Sequence, residues 1–140
     1  MRRLLSLLFL PVLLFAADPW SPKDVTTPDA ASKSYGKALV IHVGFPVLYR
    51  SSHIPGSLYA GPGSKAEGIA DLKKAVAGQP KDREILLYCG CCPWDKCPNI
   101  RPSFAALHEL GYMNVKVLAL PENLKTDWID KGYPIDKRSE

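Results

Sequence analysis

The amino-acid sequence predicts an α/β fold in which a parallel sheet is covered by helices on both faces. Two nearly continuous apolar runs, at residues 38–43 and 84–89, have the pattern of strands that are buried on both sides. Segments with apolar residues at helical spacing separate and follow these runs. Because a parallel strand is reached through a right-handed crossover that leaves room for a helix, this alternation favours a parallel sheet.

The first 17 residues have the features of a secretory signal peptide. Arg2 and Arg3 form a basic start, residues 4–15 are almost wholly apolar, and two alanines end the segment. A membrane anchor is the alternative, but the apolar run is shorter than the roughly 20 residues of a spanning helix and contains Pro11. We therefore expect export to the periplasm or outside the cell, with membrane anchoring only if the segment stays uncleaved.

Residues 18–37 are rich in Pro, Ser and Thr and are interpreted as a lead-in to the mature protein. Within them, Thr27 is a candidate N-cap and Pro28 a first helical residue for a short helix through Ala31. We expect the folded domain to extend from residue 38 to residue 136.

The remaining elements follow from apolar spacing and from Gly and Pro punctuation. The predicted strands are residues 38–43, 57–60, 84–89 and 114–120. The first predicted helix is residues 66–77, which end before Gly78. The second has Ile100, Phe104, Leu107 and Leu110 on one face. The third is residues 124–131, with Trp128 turned inward.

Composition and charge exclude some classes of function. The 140 residues suffice for one domain with a substantial core. Without Arg2 and Arg3 the chain has 16 basic and 14 acidic residues, a net charge of +2. The basic residues are scattered, whereas a nucleic-acid-binding surface needs a cluster or stripe. We therefore expect no nucleic-acid partner, and the sequence indicates no oligomeric state.

All four cysteines lie in one loop, directly after the apolar run at 84–89 and just before a helical pattern: Cys89, Cys91, Cys92 and Cys97. Ligands bind at the carboxyl ends of strands in open α/β sheets, and a helix amino terminus stabilises anions there. We therefore expect the Cys89 sulfur to be exposed at the mouth of the sheet, with amide hydrogens converging on it.

Several motifs resemble the rhodanese family in their order and spacing. They are His53-Ile54-Pro55-Gly56-Ser57, the strand end at 86–89, residues 105–115, and Trp128 followed by Gly132-Tyr133-Pro134. The resemblance spans about residues 25–136. It implies an α/β domain in which Cys89 accepts a sulfane sulfur as a persulfide and passes it to a nucleophile. The implied partners are a small sulfur-donor anion and a thiol acceptor, and the chemistry needs no metal or cofactor.

The sequence also departs from the family pattern. Family members usually carry an Arg about five residues after the cysteine, whereas eleven residues separate Cys89 from Arg101. His42 and Gly44 replace the Asp and Arg that commonly end the first family strand, and residues 120–123 replace a pair of glycines. The active-site loop is therefore enlarged and rebuilt. No cysteine has the Cys-x5-Arg spacing that rhodanese-fold phosphatases need, which argues against phosphatase activity.

The other three cysteines have three competing interpretations. A disulfide or redox pair is favoured in an oxidising compartment, and a resolving thiol for a persulfide on Cys89 is the second. Metal ligation is the least favoured, because structural zinc sites more often use two separated pairs of ligands. For Cys89 itself the alternative is a buried structural thiol.

Other residues near the loop also have two interpretations. Trp94 either covers the thiols and lines the donor pocket or anchors the loop by packing. Arg101 is expected to help position an anionic donor, although an Arg in a first helical turn is often just solvated. We interpret His53 as a structural loop residue, His42 as a hydrogen-bonded strand residue and His108 as a solvated helix residue.

The leading hypothesis is therefore an exported sulfurtransferase or persulfide carrier with Cys89 as the sulfur acceptor. A thiol-disulfide oxidoreductase that pairs Cys89 with Cys91 or Cys92 is the second, since Cys89-Gly90-Cys91-Cys92 contains a Cys-x-x-Cys motif. The third is a non-catalytic module that binds a partner or a soft metal through its four thiols.

Overall fold

A five-stranded parallel sheet forms the centre of the computed structural model, which describes residues 17–138. The predicted signal peptide lies outside the described residues except for Ala17. The strands of the sheet run in the order β1-β6-β5-β2-β4, and β3 and β7 form a separate antiparallel pair. The strands are β1 (Val25–Thr26), β2 (Leu39–His42), β3 (Ser52–His53), β4 (Leu58–Tyr59), β5 (Ile85–Tyr88), β6 (Val115–Leu118) and β7 (Asp136–Lys137).

Four α-helices and one π-helical turn cover this sheet. They are α1 (Pro28–Ser34), α2 (Pro46–Ser51), α3 (Ala66–Val76), α4 (Ile100–Glu109) and the π-helical turn Lys125–Ile129. Their placement confirms the predicted α/β class with helices around a parallel sheet. No helix of residues 17–138 is long and apolar enough to cross a membrane.

The central strand is β5, which pairs in parallel with β2 on one side and with β6 on the other. All four of its residues are buried, as the continuous apolar run predicts. Because side chains alternate along a strand, Leu87 packs with Phe104 on the α4 side, whereas Leu86 and Tyr88 pack with Trp128 on the opposite side. These two apolar layers hold the carboxyl end of β5 in place.

Some elements differ from the sequence prediction. The helix that begins after Thr27 continues to Ser34, three residues beyond the predicted end at Ala31. Thr27 does cap it, since its hydroxyl oxygen accepts a hydrogen bond from the Ala30 amide at 3.2 Å. The sequence analysis missed β1, α2 and the β3–β7 pair. Strands of two residues have no periodicity that a sequence pattern can show, which explains two of these three misses.

The segment before residue 38 is part of the folded core. β1 pairs with β6, and Trp20 is only 8% exposed. The Trp20 ring packs against Trp94 and Phe104, with ring centroids 5.5 and 5.8 Å away. Residues interpreted as a lead-in therefore supply both an edge strand and an aromatic contact to the cysteine loop.

Trp20→Ala is expected to lower the free energy of unfolding by about 3–5 kcal/mol, because it leaves a cavity beneath Trp94 and Phe104. Denaturant unfolding of the purified protein measures this change. Met113→Ala is the matched control: its side chain is 71% exposed, so we expect a change within about 0.5 kcal/mol. Equal effects of the two substitutions would contradict a core role for Trp20.

Candidate functional site

The candidate site is the cysteine loop between β5 and α4, at the carboxyl end of the sheet. Two backbone hydrogen bonds tie this loop to the chain that follows β6. The Leu124 amide donates to the Gly90 carbonyl at 3.1 Å, and the Trp94 amide donates to the Leu120 carbonyl at 3.1 Å. Gly90 has φ = +85°, in the left-handed region that glycine adopts without a steric penalty. The loop therefore has a defined path despite its length.

The loop brings the four thiols together. The Sγ atoms of Cys89 and Cys91 are 3.3 Å apart, and those of Cys91 and Cys92 are 2.8 Å apart. The Sγ atoms of Cys89, Cys91 and Cys97 all lie within 4.8 Å of one another. All four cysteines are free thiols, so the favoured disulfide is not present in this structure.

Cys89 lies at the centre of this group, and it is buried. Only 1% of the residue is exposed, which contradicts the expectation of an exposed sulfur at the mouth of the sheet. The reason is that the enlarged loop folds back over the end of β5. Gly44 makes room on the other side, because a Cβ there would lie 2.9 Å from the Cys89 Sγ.

Asn99 is a site residue that the sequence analysis missed. Its side chain is fully buried between the β4–α3 connection and the cysteine loop. The Asn99 Oδ1 accepts a hydrogen bond from the Ser64 amide at 3.0 Å, which leaves its Nδ2 to donate to the Cys89 Sγ at 3.4 Å. The sequence signal for Asn99 was its position directly before the predicted helix, where an Asn side chain usually caps the helix. Here the side chain makes no cap hydrogen bond.

The amino terminus of α4 faces Cys97, whereas the sequence analysis placed it opposite Cys89. The backbone amides of Asn99 and Ile100 act to lower the pKa of the Cys97 thiol. The hydrogen bond between Cys97 and Cys89, followed by burial, nevertheless raises the pKa of the Cys97 thiol. Burial also raises the pKa of Cys92, and that of Cys91 to about 12. These three thiols are therefore neutral at physiological pH.

A cavity of about 520 Å³ opens beside the loop. His42, Gly90 and Cys91 line it at the end of the sheet, and its other walls come from α2, the β3–β7 pair and residues 123–129. Lys125 and Lys137 add positive charge to its lining. Among residues 17–138, Cys91 is the cysteine that lines this cavity, and its Sγ lies 3.3 Å from the Sγ of the buried Cys89.

His42 has one ring nitrogen without a partner. Its Nδ1 accepts a hydrogen bond from the Gly44 amide at 3.1 Å, which places the proton of the neutral ring on Nε2. Nε2 is buried and has no hydrogen-bond partner among the described residues. The interpretation of His42 as a fully hydrogen-bonded strand residue is therefore wrong. The His42 residue lines the cavity, but Nε2 itself is buried.

We expect the protein to lose stability as the pH falls from about 6.5 to about 4. Burial, and then the electrostatic interaction with His53, lower the His42 pKa from its usual 6.5 to about 4. The unfolded chain therefore binds a proton in this interval that the folded chain does not. The loss is up to about 3 kcal/mol, since each pH unit corresponds to about 1.4 kcal/mol.

Urea unfolding at several pH values measures this dependence. The rings of Tyr49, Tyr59 and Tyr88 surround His42 and stay neutral throughout the interval, so they add no slope. His42→Phe, which cannot titrate, should show a shallower decrease between pH 6.5 and pH 4. An unchanged slope in this variant would refute the role of His42.

The model of the rhodanese-like domain family matches residues 27–120. The chain belongs to the rhodanese-like domain family. No curated protein sequence matches it.

Solved structures agree on the fold. A protein from Bacillus halodurans has a TM-score of 0.61 at 21% identity, over 81% of this chain and 76% of that one. A rhodanese-like domain from Anabaena has a TM-score of 0.59 at 17% identity, over 81% and 79%. A single-domain sulfurtransferase from Saccharomyces cerevisiae has a TM-score of 0.55 at 20% identity, over 78% and 90%. At these identities the likeness shows a shared fold.

In this rhodanese-like domain Arg101 does not reach the cavity. Its guanidinium is 2.6 Å from the Asp18 carboxylate and lies over the Trp20 ring, 5.1 Å from the centroid. The expected role of Arg101 in positioning an anionic donor is therefore not supported. The side chain instead joins the start of α4 to the segment before β1. Trp94 also lies outside the cavity lining and packs on Trp20, as its interpretation as a packing anchor predicts.

The two remaining histidines of the rhodanese-like domain have structural roles. His53 stacks on Tyr49 and its Nδ1 lies 2.9 Å from the Tyr49 carbonyl, in agreement with a structural loop residue. The same loop is tied to β5, because the Ile54 amide donates to the Tyr88 hydroxyl at 3.0 Å. His108 stacks on Phe104, and its Nε2 is buried without a partner among the described residues, so its interpretation as solvated is wrong.

Proposed function

We propose that this rhodanese-like domain is an exported sulfurtransferase or persulfide carrier in which Cys89 accepts the sulfane sulfur. The observation that carries the proposal is the set of contacts on the Cys89 sulfur. The Asn99 amide donates to it at 3.4 Å, and the thiol of Cys91 lies 3.3 Å away. The Asn99 N–H donor stabilises negative charge on the Cys89 sulfur, as a nucleophilic thiolate and a persulfide both require. Of the four cysteines, Cys89 is the one that directly follows a strand of the sheet.

The cavity supports the binding of a small anionic sulfur donor. Lys125 and Lys137 offer positive charge in its lining. Cys91 also lines the cavity, and its Sγ lies 3.3 Å from the Cys89 Sγ. Rotation of this one half-buried side chain would therefore bring a bound donor within reach of the Cys89 sulfur.

The transfer takes place in two displacements. In the first, the Cys89 thiolate attacks the outer sulfur of the donor, a sulfur–sulfur bond forms, and the rest of the donor leaves with the electron pair, as sulfite does from thiosulfate. In the second, an acceptor thiolate attacks the outer sulfur of the Cys89 persulfide. The acceptor leaves as a persulfide and the Cys89 thiolate is restored, so no oxidant or reductant is consumed.

Intact mass spectrometry of the reduced full chain tests the proposal. After exposure to thiosulfate, a thiosulfonate or polysulfide, we expect a mass gain of one sulfur atom that a thiol acceptor then removes. Three donors are needed because the cavity does not specify which anion it prefers. No mass gain with any of them would overturn the proposal.

A second candidate function is thiol-disulfide exchange by the pair Cys89 and Cys91. The separation of 3.3 Å between their sulfur atoms favours it, because a small movement would bring them to bonding distance. The two candidates differ in their need for Cys91. Cys91→Ala should abolish dithiol exchange with a test protein, whereas persulfide formation on Cys89 should persist.

A further inference from the structure

Three sulfur atoms of the cysteine loop have the arrangement of a three-coordinate metal site. The Sγ atoms of Cys89, Cys91 and Cys97 lie within 4.8 Å of one another. In a trigonal site with metal–sulfur bonds of about 2.3 Å, the sulfur atoms are about 4 Å apart. A metal ion therefore fits at the centre of this group with only small shifts of the side chains. Cys92, although 2.8 Å from Cys91, is not a member of the group.

A second observation is an N–H donor that is already directed at this site. The Asn99 Nδ2 donates a hydrogen bond to the Cys89 Sγ at 3.4 Å. Neutral thiols are weak acceptors, whereas metal-bound thiolates are commonly held by such N–H donors. The Asn99 side chain is fully buried, so folding fixes this donor before any ligand arrives.

The chemistry of the ligands selects the metal. The group offers sulfur alone, without an imidazole or a carboxylate, and thiolates alone favour soft ions such as Cu(I). Structural zinc sites take four ligands, and only three sulfur atoms form this group. Cys89 and Cys97 are buried among apolar side chains that include Ile100 and Phe104, which keeps water away from the centre.

We propose that Cys89, Cys91 and Cys97 bind one Cu(I) ion as a trithiolate site. Three S–H bonds break and three copper–sulfur bonds form. Three protons go to solvent, and neither copper nor sulfur changes oxidation state, provided that copper arrives as Cu(I). The bound site has a net charge of −2, which the Asn99 N–H donor offsets in part. This inference is independent of the proposed sulfur transfer, but the two ligands compete because both use the Cys89 sulfur.

Titration of the reduced, anaerobic full chain with Cu(I) against a chromogenic chelator tests the proposal. We expect one Cu(I) per chain, release of protons on binding, and three sulfur atoms in the first coordination shell by X-ray absorption. Cys97→Ser should weaken binding by about a hundredfold or more, because it removes one of three ligands. Cys92→Ser is the matched control, and its affinity should stay within about threefold of the original.

Thermal unfolding of each variant without metal separates a lost ligand from a lost fold. If Cys97→Ser unfolds, Cys91→Ala gives the same test at a half-buried position. Failure to bind Cu(I), equal losses in Cys92→Ser and Cys97→Ser, or stronger binding of Zn(II) than of Cu(I) would each overturn the proposal. A chain that binds Cu(I) but gains no sulfur keeps this inference and refutes the proposed sulfur transfer. A chain that gains sulfur but binds no Cu(I) supports the proposed sulfur transfer and refutes this inference.

Discussion

Cys89→Ser is expected to abolish the mass gain of one sulfur atom, with a loss in rate of at least about a thousandfold. A serine hydroxyl is a far weaker nucleophile at neutral pH than a thiolate, and it cannot form a persulfide. Because serine is close in size to cysteine, the variant should keep its fold although residue 89 is only 1% exposed. Intact mass spectrometry after donor exposure, together with thermal unfolding, measures both effects.

The other cysteines supply the controls for this experiment. Cys92→Ala and Cys91→Ala each remove a thiol from the same loop, at half-buried positions. Both variants should still gain one sulfur atom. A Cys89→Ser variant that still gains sulfur, while Cys91→Ala does not, would assign the acceptor role to Cys91.

Asn99→Asp is expected to damage both the fold and the site. The substitution replaces the N–H donor to the Cys89 sulfur by a carboxylate oxygen in a fully buried position. A buried carboxylate without a positive partner is unfavourable, so we expect the free energy of unfolding to fall by about 2–4 kcal/mol. We also expect persulfide formation to slow by about 10²–10³, because negative charge on Cys89 loses a donor and gains a repulsive neighbour.

Asn114→Asp is the matched control for this variant. Asn114 lies directly before β6, away from the cysteine loop, and its Nδ2 donates one exposed hydrogen bond to the Asp82 carbonyl at 3.4 Å. Stability should therefore change by no more than about 0.5 kcal/mol, and sulfur gain should change little. Rates are compared at equal concentrations of folded protein, so that instability alone does not lower them. An Asn99→Asp variant that is unstable but reacts at the original rate would show that Asn99 only supports the loop.

Much of the fold could be predicted because long periodic segments carry their own signal. The apolar run at 84–89 became the buried strand β5, and the spacing of Ile100, Phe104 and Leu107 became the inner face of α4. The misses were short elements. β1 and α2 depend on pairing and packing with distant residues, and neither leaves a pattern long enough to detect.

The candidate site was predicted only in its location. The four cysteines and their place after β5 were evident, but the partner of each sulfur was not. In the sequence, Asn99 resembles an ordinary helix cap. In the structure, its Oδ1 accepts a hydrogen bond from the Ser64 backbone amide, and its Nδ2 therefore faces the Cys89 sulfur and donates to it. Arg101, which resembles a helper for an anionic donor, instead pairs with Asp18, from a segment interpreted as a lead-in.

The α/β class, the resemblance to the rhodanese family and the place of all four cysteines in one loop could be predicted from the amino-acid sequence. These features follow from local periodicity and from the order of short motifs along the chain. The burial of Cys89, the position of Cys91 in the cavity lining and the free N–H of His42 became evident in the folded chain. Burial and hydrogen-bond partners depend on which distant segments of the chain are in contact at the end of the sheet. No local sequence pattern predicts these long-range contacts.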